Sequence, residues 1–362
     1  MLTDREQEIV ALLRRDPLIG SAQIAERLGT TRAAVNVHLS NLGKKGVIRG
    51  RGYLLNETPG VVVIGGANMD VKARSGARAV PGTSNPGEGS MSPGGVGRNI
   101  AENLARLGSR VELIAAVGAD PIGDQLLAAT SAAGVRVDGV RRSAHPTGTY
   151  TAVLDHDGEL LVAVADMAAT DALAPADLGA EPFAGAAFVV LDGNLATPTA
   201  AFALEVAATA GAKVILEPVS VPKAARLAAL LTDQRPVHAI TPNRAELAAL
   251  SGLPVDTDAR LRAAIDRMHE RGVETVWVRL GADGSLLSAP TGLTALASPA
   301  TDVVDVTGAG DAMLAAFCHR LLAGADAAEA AAYGHAAAAA TCASAQTVRP
   351  DLTDRLVRSY LS

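Results

Sequence analysis

The sequence predicts an α/β protein: a large body built on a mostly parallel sheet, preceded by a small helical head. Three observations carry this. Short apolar runs recur between residues 61 and 279, and Ala/Leu-rich helical stretches lie between several of them. The charge also changes sign near residue 56: residues 1–56 carry nine Lys/Arg against five Asp/Glu, the remainder 23 against 33. A basic head on an acidic body predicts partners of opposite character.

The head reads as three helices and a ribbon. Ile9, Val10, Leu12 and Leu13 repeat at helical spacing over residues 3–15, and Asp16-Pro17 ends the run. Ser21 is the expected N-cap of a helix over 22–28, with Gly29 as its stop. Thr30 or Thr31 caps a third helix over 32–42, Gly43 to Gly46 form a turn, and 47–55 form a two-stranded ribbon turning at its glycines. This order is that of a winged helix-turn-helix, residues 1–56. Its third helix is expected to present Thr31, Arg32, Asn36, His38 and Asn41 to a DNA major groove, with Arg49 and Arg51 on phosphate. The alternative is an interaction module that binds no DNA; the positive charge and the polar third helix favour DNA.

Residues 57–60 are a hinge, and 61–362 form the body. Strands are expected at 61–64, 111–117, 188–191, 214–216, 239–240 and 275–279, helices at 97–107, 199–208, 224–231 and 260–269. Residues 149–154 and 159–164, joined through His156-Asp157-Gly158, read as an antiparallel hairpin in a small lid sheet. The Ala-rich stretch 327–345 reads as a packed helix.

Composition bounds the function. With 49% hydrophobic and 19% charged residues the chain of 362 folds, and no apolar run approaches the ~18 residues of a membrane span. The first six residues lack an apolar core, so no secretory signal is expected. Two cysteines, Cys318 and Cys342, fit core thiols in a cytoplasmic protein. No Cys/His cluster has zinc spacing. His38, His145, His156 and His335 are expected to be surface or structural.

No Walker phosphate loop is present, and Gly94-Gly95-Val96-Gly97 is only a partial dinucleotide fingerprint. The informative segment is Asp305-Val306-Thr307-Gly308-Ala309-Gly310-Asp311, followed by a helical pattern over 312–322. Small residues let backbone N–H groups approach an anion, and a helix start favours negative charge. Asp311 then stands at the mouth of an anion site. A carboxylate there fits a proton acceptor beside a held phosphate, which is what phosphoryl transfer needs. Taken singly, Asp311 also reads as a helix cap, Asn68 and Asp70 read equally as a turn, and Glu246 also reads as a solvated helix residue. Arg98 reads as a helix-start cation paired with an acid, without a catalytic role.

Segment 305–311 resembles the C-terminal signature of the ribokinase-like (PfkB) sugar and nucleoside kinases. Pro93-Gly94-Gly95-Val96-Gly97-Arg98-Asn99-Ile100-Ala101 resembles the N-terminal one, Thr241-Pro242-Asn243-Arg244-Ala245-Glu246 the Asn-x-x-Glu metal motif, and Gly65-Gly66-Ala67-Asn68-Met69-Asp70 the first sugar-binding strand end. The four stand in family order. Ser84-Asn85-Pro86-Gly87, Asp192-Gly193-Asn194, Ala165-Asp166-Met167 and Glu217-Pro218-Val219-Ser220 are similar to segments of bacterial pseudouridine kinases, with Glu217 where Asp is usual and Ala165 where Asn is usual.

The resemblance implies a ribokinase-like three-layer α/β/α body with a β lid, and an ATP- and Mg²⁺-dependent kinase of the pseudouridine 5′-hydroxyl. The alternatives are another ribonucleoside, a ribose-like sugar, or a ligand-sensing transcriptional regulator. It implies that Asp311 takes the hydroxyl proton and that the N–H groups of Gly308, Ala309 and Gly310 form the anion hole. Asn68, Asp70, Gly94, Gly95 and Asn99 would hold the ribose, Ser84 and Asn85 the base, and Asp166 the lid closure. Asn243 and Glu246 would order Mg²⁺ through water, Gly281 and Gly284 would lie along the nucleotide phosphates, and Asp305 and Thr307 would mark a K⁺ site. The helix-turn-helix also implies a homodimer.

Overall fold

The computed structural model describes residues 2–48 and 60–361. The chain divides into two compact units, Met1–Thr58 and Pro59–Ser362.

In the first unit, α1 (Asp4–Arg15) starts with a capping box: Thr3 Oγ1 accepts from the Glu6 N–H, and Glu6 Oε2 accepts from the Thr3 N–H. The helix α2 (Ser21–Arg27) takes Gly20, not the expected Ser21, as its N-cap. The Ser21 hydroxyl instead accepts from Arg32 Nε at 3.2 Å. Thr31 caps α3 (Arg32–Lys44), its hydroxyl accepting from the Ala34 N–H. This helix runs past the expected end at residue 42 and through Gly43, because Leu42 is drawn into the core with Ile9, Leu13, Ile24 and Val35. The chain leaves it at Gly46, which has a φ of 72°. The expected ribbon lies outside the described residues beyond Ile48, as do Arg49, Arg51 and the hinge up to residue 59.

The second unit runs β1 (Gly60–Ile64), β2 (Asn68–Ser75), β3 (Gly87–Gly94), α4 (Val96–Arg106), β4 (Val111–Ile114), β5 (Ala116–Gly118), α5 (Pro121–Ala132), β6 (Arg141–Ser143), β7 (Thr149–Leu154), β8 (Leu160–Asp166) and α6 (Ala168–Asp171). It continues with β9 (Ala186–Asp192), α7 (Thr197–Ala210), β10 (Lys213–Glu217), α8 (Val221–Ala228), β11 (Val237–Ile240), α9 (Arg244–Ser251), α10 (Asp258–Glu270) and β12 (Val273–Arg279). The hairpin β13 (Ser285–Ala289) and β14 (Gly292–Leu296) precedes α11 (Ala309–Leu322), α12 (Ala327–Cys342) and α13 (Asp354–Arg358).

Eight strands form the main sheet in the order β14-β13-β12-β11-β10-β9-β1-β4. The pairings from β12 to β4 are parallel, and β13 and β14 extend one edge antiparallel. Alternate residues of β1 enter opposite cores: Val62 and Ile64 pack with α7 to α10, Val61 and Val63 with α4, α11 and α12. A sheet covered on both faces needs strands apolar throughout, which is why its strands read as continuous runs. The run expected as one strand at 111–117 breaks at Ala115, whose carbonyl accepts from the Arg141 N–H; β4 stays in the main sheet and β5 turns aside to pair with β6.

A second sheet, β3-β2-β7-β8, forms the lid. The expected hairpin is its β7 and β8. Asn68 and Asp70, which read alone as a turn, begin β2. Edge strand β8 leaves Leu160, Leu161, Val162 and Val164 exposed. Among the described residues no helix is long and apolar enough to cross a membrane.

Candidate active site

The carboxyl ends of the parallel strands carry charged residues: Asp192 closes β9, Glu217 closes β10 and Arg279 closes β12. This end of an open α/β sheet is where ligands bind. Asp192 is fully buried, and its Oδ2 accepts from the N–H groups of Gly66 and Gly97, each at 2.8 Å. It thereby ties the β1–β2 turn to the start of α4. A Cβ on Gly65 would stand 2.2 Å from that same oxygen, so this turn requires glycine. Burial raises the Asp192 pKa, against the hydrogen bonds from Gly66 and Asn194.

From this clamp a polar wall is built. Asn68 is buried, and its Nδ2 donates to Asp70 Oδ1 at 2.7 Å. Asn68 pairs with Gly94 across the lid, and a Cβ on Gly94 would lie 2.3 Å from Asp70 Oδ2. Gly95 follows at a φ of 97°, where a Cβ would come within 2.5 Å of the Gly66 carbonyl oxygen. One turn into α4, Asn99 Nδ2 donates to Asp311 Oδ2 at 2.9 Å. Residues from 68 to 311 in the sequence thus meet in one chain of contacts.

Asp311 lies in the first turn of α11. The helix starts at Ala309, earlier than the pattern over 312–322 implies. Gly308 is its N-cap, at a φ of 79°, with the Thr347 carbonyl oxygen 2.0 Å from where a Cβ would be. The expected anion hole is corrected in one member: the Ala309 N–H donates to the Val306 carbonyl at 3.2 Å, because the chain closes a turn there. Among the described residues no acceptor engages the N–H groups of Gly308, Gly310 or Asp311, the open donors of a helix start. Burial pushes the Asp311 carboxyl up to about 8; the Asn99 hydrogen bond opposes this, Glu217 adds to it, Arg279 opposes it and Asp192 adds.

Arg279 was not anticipated from the sequence. Its Nη2 donates to Glu217 Oε1 at 2.7 Å and lies 3.4 Å from Glu246 Oε2. Its Nη1 stands 2.7 Å from where a Cβ on Gly310 would be, so the cation borders the open N–H groups. Burial works against its charge, but Glu217 and Glu246 outweigh it and the pKa rises. The signal available was an arginine following the apolar run Val276-Trp277-Val278 at the ligand end of a parallel sheet.

Beside it lies a cleft of about 510 Å³ lined by Gly281, Gly284, Ala309, Gly310, Ala338 and Ala339 among others. His335 forms part of its wall, buried and hydrogen-bonded through Nε2 to Ser285 Oγ at 2.6 Å; burial holds its pKa down to about 4, so the ring is neutral. Cys318 is a core thiol, whereas half-buried Cys342 lines the cleft.

Asn243 and Glu246 form the capping box of α9, Oδ1 accepting from the Glu246 N–H and Oε2 from the Asn243 N–H. No described residue donates to Glu246 Oε1, so a hard oxygen remains, which fits Mg²⁺ held through water. At the expected K⁺ position Asp305 Oδ1 accepts from Thr307 N and Oγ1, and Oδ2 faces the Lys72 ammonium at 3.8 Å. Ser84 and Asn85 stand in an exposed loop, the Asn85 carboxamide bonded to Val80 and Thr83, and exposed Asp166 caps the Ala168 N–H. Among the described residues no hydrogen bond or ion pair joins these three to Asp311. In the first unit Arg32 and Asn36 of α3 are exposed, whereas His38 is half-buried with Nδ1 enclosed and unpartnered.

A parallel-sheet site with a carboxylate at an open helix start, a bordering arginine and an adjoining cleft has the parts that phosphoryl transfer to a hydroxyl needs. Residues 58–354 match the pfkB family carbohydrate kinases, and residues 2–49 match a winged helix-turn-helix DNA-binding family. The chain is 36% identical to the uncharacterized sugar kinase YeiI of Escherichia coli K12, over 97% of both chains. It is 34% identical to that organism's pseudouridine kinase, over 83% of this chain and 95% of the other. Its fold matches Arabidopsis thaliana ribokinase, solved with ribose and ATP, at a TM-score of 0.72 and 26% identity, covering 84% of this chain and 99% of that one. The chain belongs to the pfkB family of carbohydrate kinases and is a sugar or nucleoside kinase.

Proposed function

We propose that the chain phosphorylates the ribose 5′-hydroxyl of pseudouridine with ATP. The observation that carries the reading is Asp311, held by Asn99 beside the open N–H groups of Gly308 and Gly310. Asp311 accepts the hydroxyl proton, so the oxygen attacks as its charge develops, and those N–H groups with Arg279 hold the charge on the transferred phosphoryl. Asn68 and Asp70 hold the ribose hydroxyls; a carboxylate accepts from two vicinal OH groups, and the amide both donates and accepts. Gly94 and Gly95 admit the sugar close to the backbone. Gly281 and Gly284 face the nucleotide phosphates. Glu246, with Asn243 fixing its carboxylate, would hold Mg²⁺ through water. That ion, when bound, supplies charge neutralisation on the phosphates. Ser84, Asn85 and Asp166 act only if the lid sheet closes over the base.

The 34% identity to a pseudouridine kinase favours the C-nucleoside over free sugar. The two unpaired cysteines fit a reducing cytoplasm. A second role is supported by the winged-helix match and the exposed Arg32 and Asn36: α3 of the full chain contacts DNA. Helix-turn-helix modules read two-fold operators, and the exposed apolar edge of β8 offers a surface for a second copy, which supports a homodimer.

The test is an acceptor panel of pseudouridine, uridine, other ribonucleosides and ribose with Mg-ATP, with the product identified by NMR. Pseudouridine is expected to give the highest kcat/KM and a 5′-monophosphate. An equal kcat/KM for ribose rejects the nucleoside reading.

A further inference from the structure

We propose that Arg98 is a positioning residue for phosphoryl transfer: it fixes the Asn99 carboxamide so that the NH₂ end, not the oxygen, meets Asp311. The inference rests on the reading of Asp311 as base. The two ends of a carboxamide have nearly the same shape and opposite hydrogen-bonding character. A donor toward Asp311 favours the ionised carboxylate that a base must be; an oxygen there would oppose it.

The geometry selects one end. Asn99 Nδ2 faces Asp311 Oδ2 at 2.9 Å, and Asn99 Oδ1 accepts from Arg98 Nη1 at 3.1 Å. A guanidinium has donors and no acceptor. Turning the amide over would set NH₂ against Arg98 and oxygen against the carboxylate, losing both bonds. Arg98 is itself held in place and only 4% exposed. Its Nε donates to Thr130 Oγ1 at 3.2 Å, its Nη1 also to the Pro93 carbonyl at 3.1 Å, and its Nη2 to Glu102. The Thr130 hydroxyl donates to the Leu126 carbonyl, which leaves its lone pairs for Arg98. Arg106 holds the other oxygen of Glu102 at 2.8 Å through Nε. A rigid line therefore runs from α5 through α4 to the carboxylate on α11.

The surroundings make that one hydrogen bond matter. Asp311 faces Glu217 of β10 and Asp192 of β9, both acids, and Arg279 of β12. Among the described residues, Asn99 gives the only hydrogen bond to its side chain. Arg98 faces Glu102, Arg106 and Asp70.

The experiment measures kcat, KM and the pH profile of kcat/KM for Arg98→Met, Arg98→Lys, Glu102→Gln and the double variant Arg98→Met/Glu102→Gln. The double variant removes both charges, so no unpaired buried carboxylate compromises folding. Arg98→Met and the double variant are expected to lose about tenfold or more in kcat, with a smaller change in KM, and to move the profile midpoint up by about half a pH unit or more. Arg98→Lys keeps a cationic donor without an acceptor and restores part of the shift. Glu102→Gln lowers thermal stability and leaves the midpoint in place. An unmoved midpoint in the folded double variant, with Asp311→Asn inactive, overturns the positioning role. Normal turnover by Asp311→Asn overturns instead the base reading on which it rests.

Discussion

Asp311 combines two demands that conflict. As the proposed base it must lose a proton to accept one from the acceptor hydroxyl, yet burial, with Glu217 and Asp192 adding to it, pushes its pKa up to about 8. For the free protein, kcat/KM is therefore expected to climb with pH up to about 8 and then level, since the profile reports the free enzyme's base. The stability consequence has the opposite sign. An unfolded Asp ionises near 3.8, whereas the folded one keeps its proton until about 8, so stability falls as pH rises between those values. Asp311→Asn has no proton to lose. It is expected to cut kcat by about 10²–10⁴-fold and to gain thermal stability relative to the parent, by a margin larger at pH 9 than at pH 5. Melting curves at the two pH values check this; a constant margin would sink the account of the buried carboxyl. At this scale the sequence displayed Asp311, Asn68 and Asp70, whose motifs are local. It read Arg98 only as a cation paired with an acid and passed over Arg279, because their further roles depend on partners distant in sequence: Asp311, reached through Asn99, for the first, Glu217, Glu246 and Gly310 for the second.

The element that matters most is α11. Its first turn carries Asp311 and the open N–H groups, and its entry is fixed by Gly308 at a positive φ against the Thr347 carbonyl. An alanine there has both an unfavourable backbone region and an atom in the carbonyl's place. Gly308→Ala is expected to cost about 1–3 kcal/mol from the backbone alone and to abolish turnover with little change in the lid. Denaturant unfolding with parallel kinetics measures both; near-parental activity would show that the turn is not needed in this form. The start of α11 also shows a limit of pattern reading. The apolar helical pattern begins at Ala312, but the helix starts at Ala309, because small residues carry no periodic signal. In α4, read from its pattern to within a residue, the buried polar residues Arg98, Asn99, Glu102 and Asn103 carry no sign of which partners they meet.

On the scale of the whole molecule, the proposed roles give the acidic body and the basic head different ligands. The full chain is expected to bind its operator DNA with an affinity that falls as salt rises, and Arg32→Ala is expected to weaken binding and to lower the slope of log affinity against log salt by about one. Fluorescence anisotropy over a salt series checks this. Salt-independent or absent binding at low salt would make the head an interaction module. The kinase reaction of the same samples gives a separate readout, so failure of one role leaves the other measurable.

The sequence by itself determined the two-part organisation, the parallel α/β body, the lid hairpin and the glycine-rich helix entry at 308–311, because each is written in neighbouring residues: apolar runs, caps, glycines and charge. Only the tertiary structure decided which polar groups meet. Hydrogen bonds such as Asn99 to Asp311 and Arg279 to Glu217 join residues 212 and 62 positions apart. Their strength and the resulting proton affinities arise from burial and from the direction of each donor, quantities that exist only once the sheet has brought its strand ends together.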